Sequence, residues 1–569
     1  MKKWKKRVRE NQEILASLAI FWVIMVVILI YSIFYLNEGH LVYSLDDAYI
    51  HMAIAKNFSQ HGVWGVTKEE FSSSSSSLFY SLLLSLIFLF GPNDVAPLII
   101  NLVFANLIIF AVYYIVKMKY KLPPFAVFTC LLLTIFFLPL HFLILTGMEH
   151  TIQIFFDIIF VYLATKILTD VNLHQKKAII KRETDISFLK DKSFFLLAPL
   201  VTMVRFEGMF LIIFISFLFL LRRKYFYSIL IAILGFLPII IFGLISLYYG
   251  WYFLPNSVIL KSNEIDFTFL GFLKLFLSFV DELIDNYHIS ILLIGALGII
   301  LISIFKKKGF WSESSIMAFI FLGVTLLHIL LIGATLKNQN LSRYEGYIIA
   351  LGILLLFLSI KDGLPRGLAI EHIKDYLLDI KANFKKNYLQ VITTVFIIFL
   401  FFCIYIPRSY RLIRDTPQAT NNIYEQQYQM GLFLEKYYEG DCIAANDIGA
   451  INYLADIEIL DLRGLGSDEI AEAIQEDELD EDFVYETAKN MDCKIAIIYE
   501  DKDYGYGIPD EWTKAGEWEI RDNVVCGDDD VSFWAVEDDE LDNLIKHLKD
   551  FSSELPDSVK ESGLYKEVL

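Results

Sequence analysis

ILASLAIFWVIMVVILIYSIFYL, residues 14–36, followed after a short polar loop by LDDAYI, residues 45–50, decides how the rest of the chain is read. The first stretch meets the roughly 20 apolar residues that a helix needs to cross the hydrocarbon core of a bilayer. Asp46 and Asp47 then emerge where lipid headgroups meet water. An acidic pair at that level can be ionised yet sheltered from bulk solvent, although a helix end also attracts acids simply as a solvated stop. The first ten residues, MKKWKKRVRE, carry six Lys or Arg, which by the positive-inside rule places the N-terminus in the cytoplasm. No small-residue cleavage site follows the apolar run, and its length exceeds that of a signal peptide, so it reads as a retained anchor.

With 56% hydrophobic and 15% aromatic residues and a mean hydropathy of +0.51, a chain of 569 residues is a polytopic membrane protein. The net charge of -18 hides a division. From Arg408 to Leu569 there are 41 acidic and 14 basic residues, against 26 acidic and 35 basic before it, so the first part is +9 and the tail -27. A tail this acidic, without a Lys/Arg cluster, is a poor partner for nucleic acid or anionic lipid, and nucleic-acid binding is set aside. Of the five cysteines, Cys130 and Cys403 lie in apolar runs; Cys442, Cys493 and Cys526 remain in the tail. One disulfide can form there if that side is oxidising, with the pair left open.

Apolar runs ordered by the position of Lys and Arg give about eleven crossings: 14–36, 95–116, 123–145, 150–169, 193–204, 208–221, 225–249, 288–305, 314–335, 346–360 and 389–407. The stretch 78–90 is too short to span and reads as re-entrant or surface-lying. The basic loops 176–182, 222–224, 306–308 and 361–386 then fall inside, and the tail from Arg408 falls outside. Two domains follow, a transmembrane part over 1–407 and an extracytoplasmic part over 408–569. Every polar cluster that looks chemical lands on the outer face: LDDAYI, TGMEH at 146–150, RFEG at 205–208, LPNSVILKSN at 254–263 and LSRYEG at 341–346. One composite external site explains this most economically. Charges at the membrane edge cost about 2.5–3.5 kcal/mol each on insertion scales, so Arg205 and Glu207 need a partner or a task. They could equally neutralise each other.

Other features carry less. His328, mid-span in VTLLHILL, reads as a hydrogen-bonded packing residue. Ser72 to Ser77 is either a flexible linker or a set of hydroxyls for a polar substrate. In the tail, CIAAND, IEILDL, KIAIIY, WEIRDNVV and VSFWAV have strand composition, while IYEQQYQMGLFLEKYY, SDEIAEAIQ and DDELDNLIKHLKD have helical spacing. An α/β or α+β domain is expected. The acidic run DELDEDF and Asp528 to Asp530 read as solvated surface, without the spacing of an EF-hand.

Taken in order, LDDAYIHMAIAKN at 45–57, SSSL at 75–78, TGME at 146–149, RFEG at 205–208, LPNSVILK at 254–261, SRY at 342–344 and NDIGAINYL with DLRGLG at 446–466 form a set over nearly the whole chain. The set resembles the GT-C class of polyprenyl-phosphate-sugar-dependent glycosyltransferases, in the branch of the terminal arabinofuranosyltransferases and similar mannosyltransferases. The family commonly has an Arg a few residues after the acidic pair, where this chain offers His51 or Lys56. It often has a Pro where Leu78 stands, and another where Phe206 stands.

The resemblance implies a GT-C fold, a polyprenyl-phosphate-sugar donor, and transfer of a hexose or pentose to a glycan, lipid or protein acceptor outside the cytoplasmic membrane. A hydroxyl is a feeble nucleophile at neutral pH, so a carboxylate must take its proton. Asp46 is the first candidate, with Asp47 orienting the acceptor, holding a divalent cation or exchanging roles, because spacing alone cannot rank two coupled carboxylates. Inversion by single displacement is expected; Glu149 as nucleophile would give retention. The leaving phosphate calls for a cation, for which Lys261, Arg343 and Arg205 are placed on the outer face. Glu149, Glu207, Asn256 and Tyr344 supply groups that sugars require. No cofactor is expected beyond a possible divalent cation, and the membrane lipid itself is a partner. A multi-span transporter of a polar or lipid-linked substrate is the alternative, against which stand the lack of an internal repeat and the gathering of charge on one face. An anchored receptor or scaffold is a third reading, for which eleven spans are more than needed.

Overall fold

The Gln12–Leu36 helix turns Ile14, Phe21, Met25 and Ile28 into the protein and leaves Val23, Val27 and Phe34 exposed. A helix that is apolar on its uncovered face as well as its packed face is lipid-facing. In the computed structural model, residues 11–170, 184–260, 268–305, 310–332, 343–360, 401–500 and 507–567 are described. Four further described helices are long and apolar enough to cross a membrane: Ala96–Lys119, His150–Thr169, Tyr225–Tyr248 and Glu313–Ile332. Shorter apolar helices, Leu78–Phe88, Pro124–Phe136, Lys192–Val204, Gly208–Leu221 and Gly346–Ser359, pack among them. The expected basic loops at 176–182, 306–308 and 361–386, the N-terminal basic segment and most of the span at 389–407 lie outside the described residues.

Two segments of the helical bundle differ from expectation. The run 123–145 is broken after Phe136 and resumes as the Leu140–Leu145 helix, with Pro139 at the break; a proline has no amide to continue the ladder. Phe269–Asp285 is a helix in a stretch to which no crossing was assigned, capped by Thr268, whose side chain accepts from the Gly271 amide at 3.1 Å. It is bent by 99° against the Tyr287–Leu301 segment that follows. Leu270, Leu273, Phe276, Leu277 and Ile284 are exposed, while Lys274, Asp281 and Glu282 interrupt the apolar sequence. That mixture hides a helix from any reading based on unbroken hydrophobicity.

The C-terminal domain is a six-stranded mixed sheet: β1 (Cys442–Ala445), β2 (Glu458–Asp461), β3 (Cys493–Ile498), β4 (Thr513–Glu519), β5 (Asp530–Ala535) and β6 (Lys560–Ser562). The order is β2-β1-β3-β5-β4-β6, parallel for the first three strands and antiparallel thereafter. Helices cover both faces, so strands such as β1 are buried throughout. On one face Phe433 packs edge-on against Trp518, Phe533 and Phe551, with ring centroids 5.9, 5.6 and 5.5 Å away. Phe433 belongs to the Gln429–Tyr437 helix, the end of a helical run described from Phe401 onward. The sheet is thus attached to the bundle by a continuous helix that extends past Arg408.

WEIRDNVV reads as a strand through its valines, but β4 lies upstream and ends at Glu519. Asp522, at φ 51°, turns the chain, and the loop beyond reaches the bundle. There the Val524 amide donates to Asn422 Oδ1 at 3.0 Å, and Val525 packs against the bundle's apolar core.

Cys442 and Cys493 face each other in register on adjacent parallel strands and form a disulfide. The bond closes a sequence separation of 51 residues, for which loop-closure entropy gives about 4 kcal/mol. Cys493→Ser is therefore expected to lower the stability of the sheet domain by up to about that amount. Identical unfolding midpoints for oxidised full-length protein and the variant would show that the bond contributes nothing.

Candidate active site

The first loop is held rigid before the acidic pair is reached. The Ser44 amide donates to Leu145 O at 2.8 Å, the Tyr43 amide donates to Tyr49 Oη at 3.1 Å, and the Leu98 amide donates to Tyr43 Oη at 3.0 Å. The turn of TGME closes against this loop: Gly147 sits at φ +67°, and a Cβ there would come within 2.6 Å of the Tyr43 ring. Only glycine suits both requirements. Asp47 opens the Asp47–His61 helix and Asp46 precedes it.

The two aspartates face different neighbours. Asp46 accepts from the Gly449 amide through Oδ2 at 2.7 Å and from the Ala450 amide through Oδ1 at 2.8 Å. Burial, then the nearby Asp447 carboxylate, push the Asp46 carboxyl well above its ordinary range, and the two amides pull it back. Asp47 instead makes an ion pair with Arg343, Nη1 to Oδ2 at 2.8 Å, and its side chain is 29% exposed where that of Arg343 is 5% exposed. Solvent reaches this pair from the Asp47 side.

A second ionic cluster adjoins the first. Arg205, in the break between the helices ending at Val204 and starting at Gly208, donates from Nε to Glu207 at 2.9 Å and from Nη2 to its other oxygen at 2.5 Å. Its Nη1 reaches Glu149 Oε1 at 2.6 Å. Glu149 is fully buried, and its other oxygen lies 3.3 Å from His51 Nε2. Ser81 and Ser75 hydroxyls lie 3.0 and 3.1 Å from His51 Nδ1, so the ring is held between these hydroxyls and the Glu149 carboxylate. Burial holds the His51 pKa below its ordinary value against the pull of Glu149. Tyr344 joins the clusters, with the Arg205 guanidinium 5.0 Å and the Arg343 guanidinium 4.8 Å from its ring centroid. His150, the last residue of TGMEH, packs edge-on against the same ring at 6.1 Å.

The geometry sorts the expected residues. Asp47, His51, Glu149, Arg205, Glu207, Arg343 and Tyr344 form one contiguous set, and of the two candidate arginines Arg343 is the one that faces a half-exposed carboxylate. Arg205 is committed to two buried glutamates, the mutual neutralisation that the sequence left open. Lys56 and Asn256 lie apart and hold the C-terminal domain: Lys56 Nζ donates to Tyr453 O at 3.0 Å, and Asn256 Nδ2 donates to Gly464 O at 2.8 Å. The loop carrying Gly464 is built on Asp461, which accepts from the Arg463 and Gly466 amides at 2.9 and 2.6 Å and which burial raises to about 6. Lys261 lies outside the described residues. Among the described residues no group of three or more His, Cys, Asp or Glu is arranged to hold a metal ion.

The serine run is not a loose linker. Ser72, Ser73, Ser74, Ser75 and Ser77 are buried; Ser72 accepts from the Val66 amide at 3.0 Å, and Ser77 caps the Leu78–Phe88 helix by accepting from Tyr80 at 3.3 Å. His328 contacts Tyr347 Oη at 2.9 Å through Nδ1, a packing role as read from its setting. Sequence reading passed over Glu345, which pairs with His288 and with Arg408 of the helical run into the tail. It also passed over Asp447, which binds Tyr499 Oη and Gln427 Nε2 beside Asp46. Both stand inside quoted motifs, LSRYEG and NDIGAINYL, where the sequence offered a signal without a partner.

Residues 421–534 match the family described as Domain of unknown function (DUF8728). No curated protein sequence matches the chain. Among solved structures the chain is similar to ArnT from Cupriavidus metallidurans bound to undecaprenyl phosphate, at 11% identity over 92% of this chain and 98% of that one, with a TM-score of 0.49. It is also similar to the Archaeoglobus fulgidus oligosaccharyltransferase in complex with zinc and sulfate, at 11% identity over 95% of this chain and 74% of that one, with a TM-score of 0.44. The apo form of the latter gives 13% identity over 89% and 73%, with a TM-score of 0.47.

Proposed function

We propose that the chain is an integral-membrane glycosyltransferase that moves a sugar from a polyprenyl phosphate to an acceptor hydroxyl on the extracytoplasmic face. The observation that carries this reading is the Asp47–Arg343 ion pair, half open to solvent at the ends of apolar helices and backed by the buried Glu149–Arg205–Glu207 cluster. A carboxylate and a guanidinium side by side supply the two things the transfer lacks, a proton acceptor and a partner for the leaving phosphate. The disulfide between Cys442 and Cys493 supports an oxidising compartment for the C-terminal domain, and so the outer face for the site.

The chemistry orders the roles. The acceptor oxygen attacks the anomeric carbon, its proton passes to Asp47, the bond between that carbon and the phosphate oxygen breaks, and the electron pair leaves with the phosphate. In a single displacement the attacking and leaving oxygens stand on opposite sides of the anomeric carbon, so the base and the phosphate-binding cation cannot remain in contact with each other. The Asp47–Arg343 bridge is then the resting state. A donor phosphate takes over Arg343, and Asp47 is released to act as base only once the donor is seated. Asp47 takes the base role here because Asp46 is engaged by the Gly449 and Ala450 amides. Arg205 holds Glu149 and Glu207 in place and supports Tyr344 against the sugar, while Lys261 remains a second candidate for the phosphate.

Purified protein offered polyprenyl-phosphate pentoses and hexoses with cell-envelope glycan acceptors is expected to release polyprenyl phosphate and extend the acceptor. Uptake of intact substrate into sealed vesicles, with no transfer from any donor, would instead favour the transporter.

A further inference from the structure

Asp46 is joined to a part of the chain some 400 residues away. Its two oxygens take the Gly449 and Ala450 amides at 2.7 and 2.8 Å. Gly449 is required for that approach: a Cβ on it would lie 2.1 Å from the Asp46 carbonyl oxygen and 2.5 Å from Oδ2. The seam continues on both sides. Lys56 donates to Tyr453 O at 3.0 Å, the Tyr453 hydroxyl binds Asp94, the rings of Tyr49 and Tyr453 lie 5.9 Å apart, and Lys68 pairs with Asp456. All of these partners on one side lie in or beside the first loop, and all on the other lie in NDIGAINYL or just after it.

An α-helix advances about 100° per residue, so adjacent positions at its start point in different directions. With Asp46 held by the C-terminal domain, Asp47 is turned toward Arg343. We propose that Asp46 is a positioning residue, and that the Gly449–Ala450 turn of the C-terminal domain seats Asp47 in the site, so that docking of this domain is a condition of transfer. The inference rests on the glycosyltransferase reading for its activity readout, but the seam itself is measurable without any reaction.

The test compares Asp46→Asn, Asp47→Asn and Gly449→Ala in the full-length protein by kinetics and by hydrogen exchange. Asn at 46 keeps the shape and one acceptor, so its kcat is expected to fall by about five- to tenfold, the scale of a lost capping bond. Asp47→Asn is expected to fall by about 100-fold or more. Gly449→Ala is expected to lose most activity, with faster exchange at residues 446–453 and at the start of the Asp47–His61 helix, while the amides of β1 and β3 keep their protection. An Asp46→Asn variant as inactive as Asp47→Asn would return the base role to Asp46 and overturn the proposal. So would Gly449→Ala with full activity or unchanged exchange at the seam. If the parent protein transfers no sugar at all, the glycosyltransferase reading fails while the exchange result still decides whether the seam holds the first loop.

Discussion

Asp47→Asn is expected to lower kcat for sugar transfer by about 10²–10⁴-fold, the range associated with a positioned proton acceptor, while the donor KM stays level or falls. Asparagine has nearly the shape of aspartate and can still accept from Arg343 Nη1 through its carbonyl oxygen, so the 2.8 Å contact survives in form. What it cannot do is take a proton. The charge that holds Arg343 in the resting bridge is also gone, so a donor phosphate competes for the guanidinium on better terms. A fall in kcat without a rise in KM separates this from loss of substrate binding. A kcat within about threefold of the parent, in folded protein, would remove Asp47 from the chemistry.

Arg205→Leu is expected to have the largest structural effect. Arg205 spends three donor atoms on Glu149 and Glu207, and the side chains of all three are at most 10% exposed. Removing the cation leaves two buried carboxylates uncompensated, which costs about 3–5 kcal/mol. Arg205→Lys restores one charge but not the planar fork that meets two carboxylates at once, and is expected to recover only part of the loss. The measurement is thermal unfolding of the detergent-solubilised protein with the yield of folded material. An Arg205→Leu protein as stable as the parent would mean that Glu149 and Glu207 are neutralised by some other route.

The sequence was most legible where one segment suffices. The Gln12–Leu36 span, the emergence of the acidic pair and most of the tail's strands follow from local hydrophobicity and composition. Phe269–Asp285 was missed because its charges break the apolar run although one face remains lipid-like. The displaced β4 was missed because Val524 and Val525 carry strand composition for a tertiary reason, contact with the bundle. At the site, residue types were readable and pairings were not. Nothing local couples Arg205 to Glu149 across 56 positions, or Asp46 to Gly449 across 403. Nor could spacing distinguish Asp46 from Asp47, since their difference arises from which way each points once the C-terminal domain is docked.

The most direct measurement is a structure of the full chain with a polyprenyl phosphate bound. The account predicts the phosphate on the Arg343 guanidinium at the outer-leaflet ends of the helices, with the Asp47–Arg343 bridge open, Asp47 turned toward the acceptor side and Asp46 still on the Gly449 and Ala450 amides. A phosphate seated elsewhere with the bridge intact would contradict it.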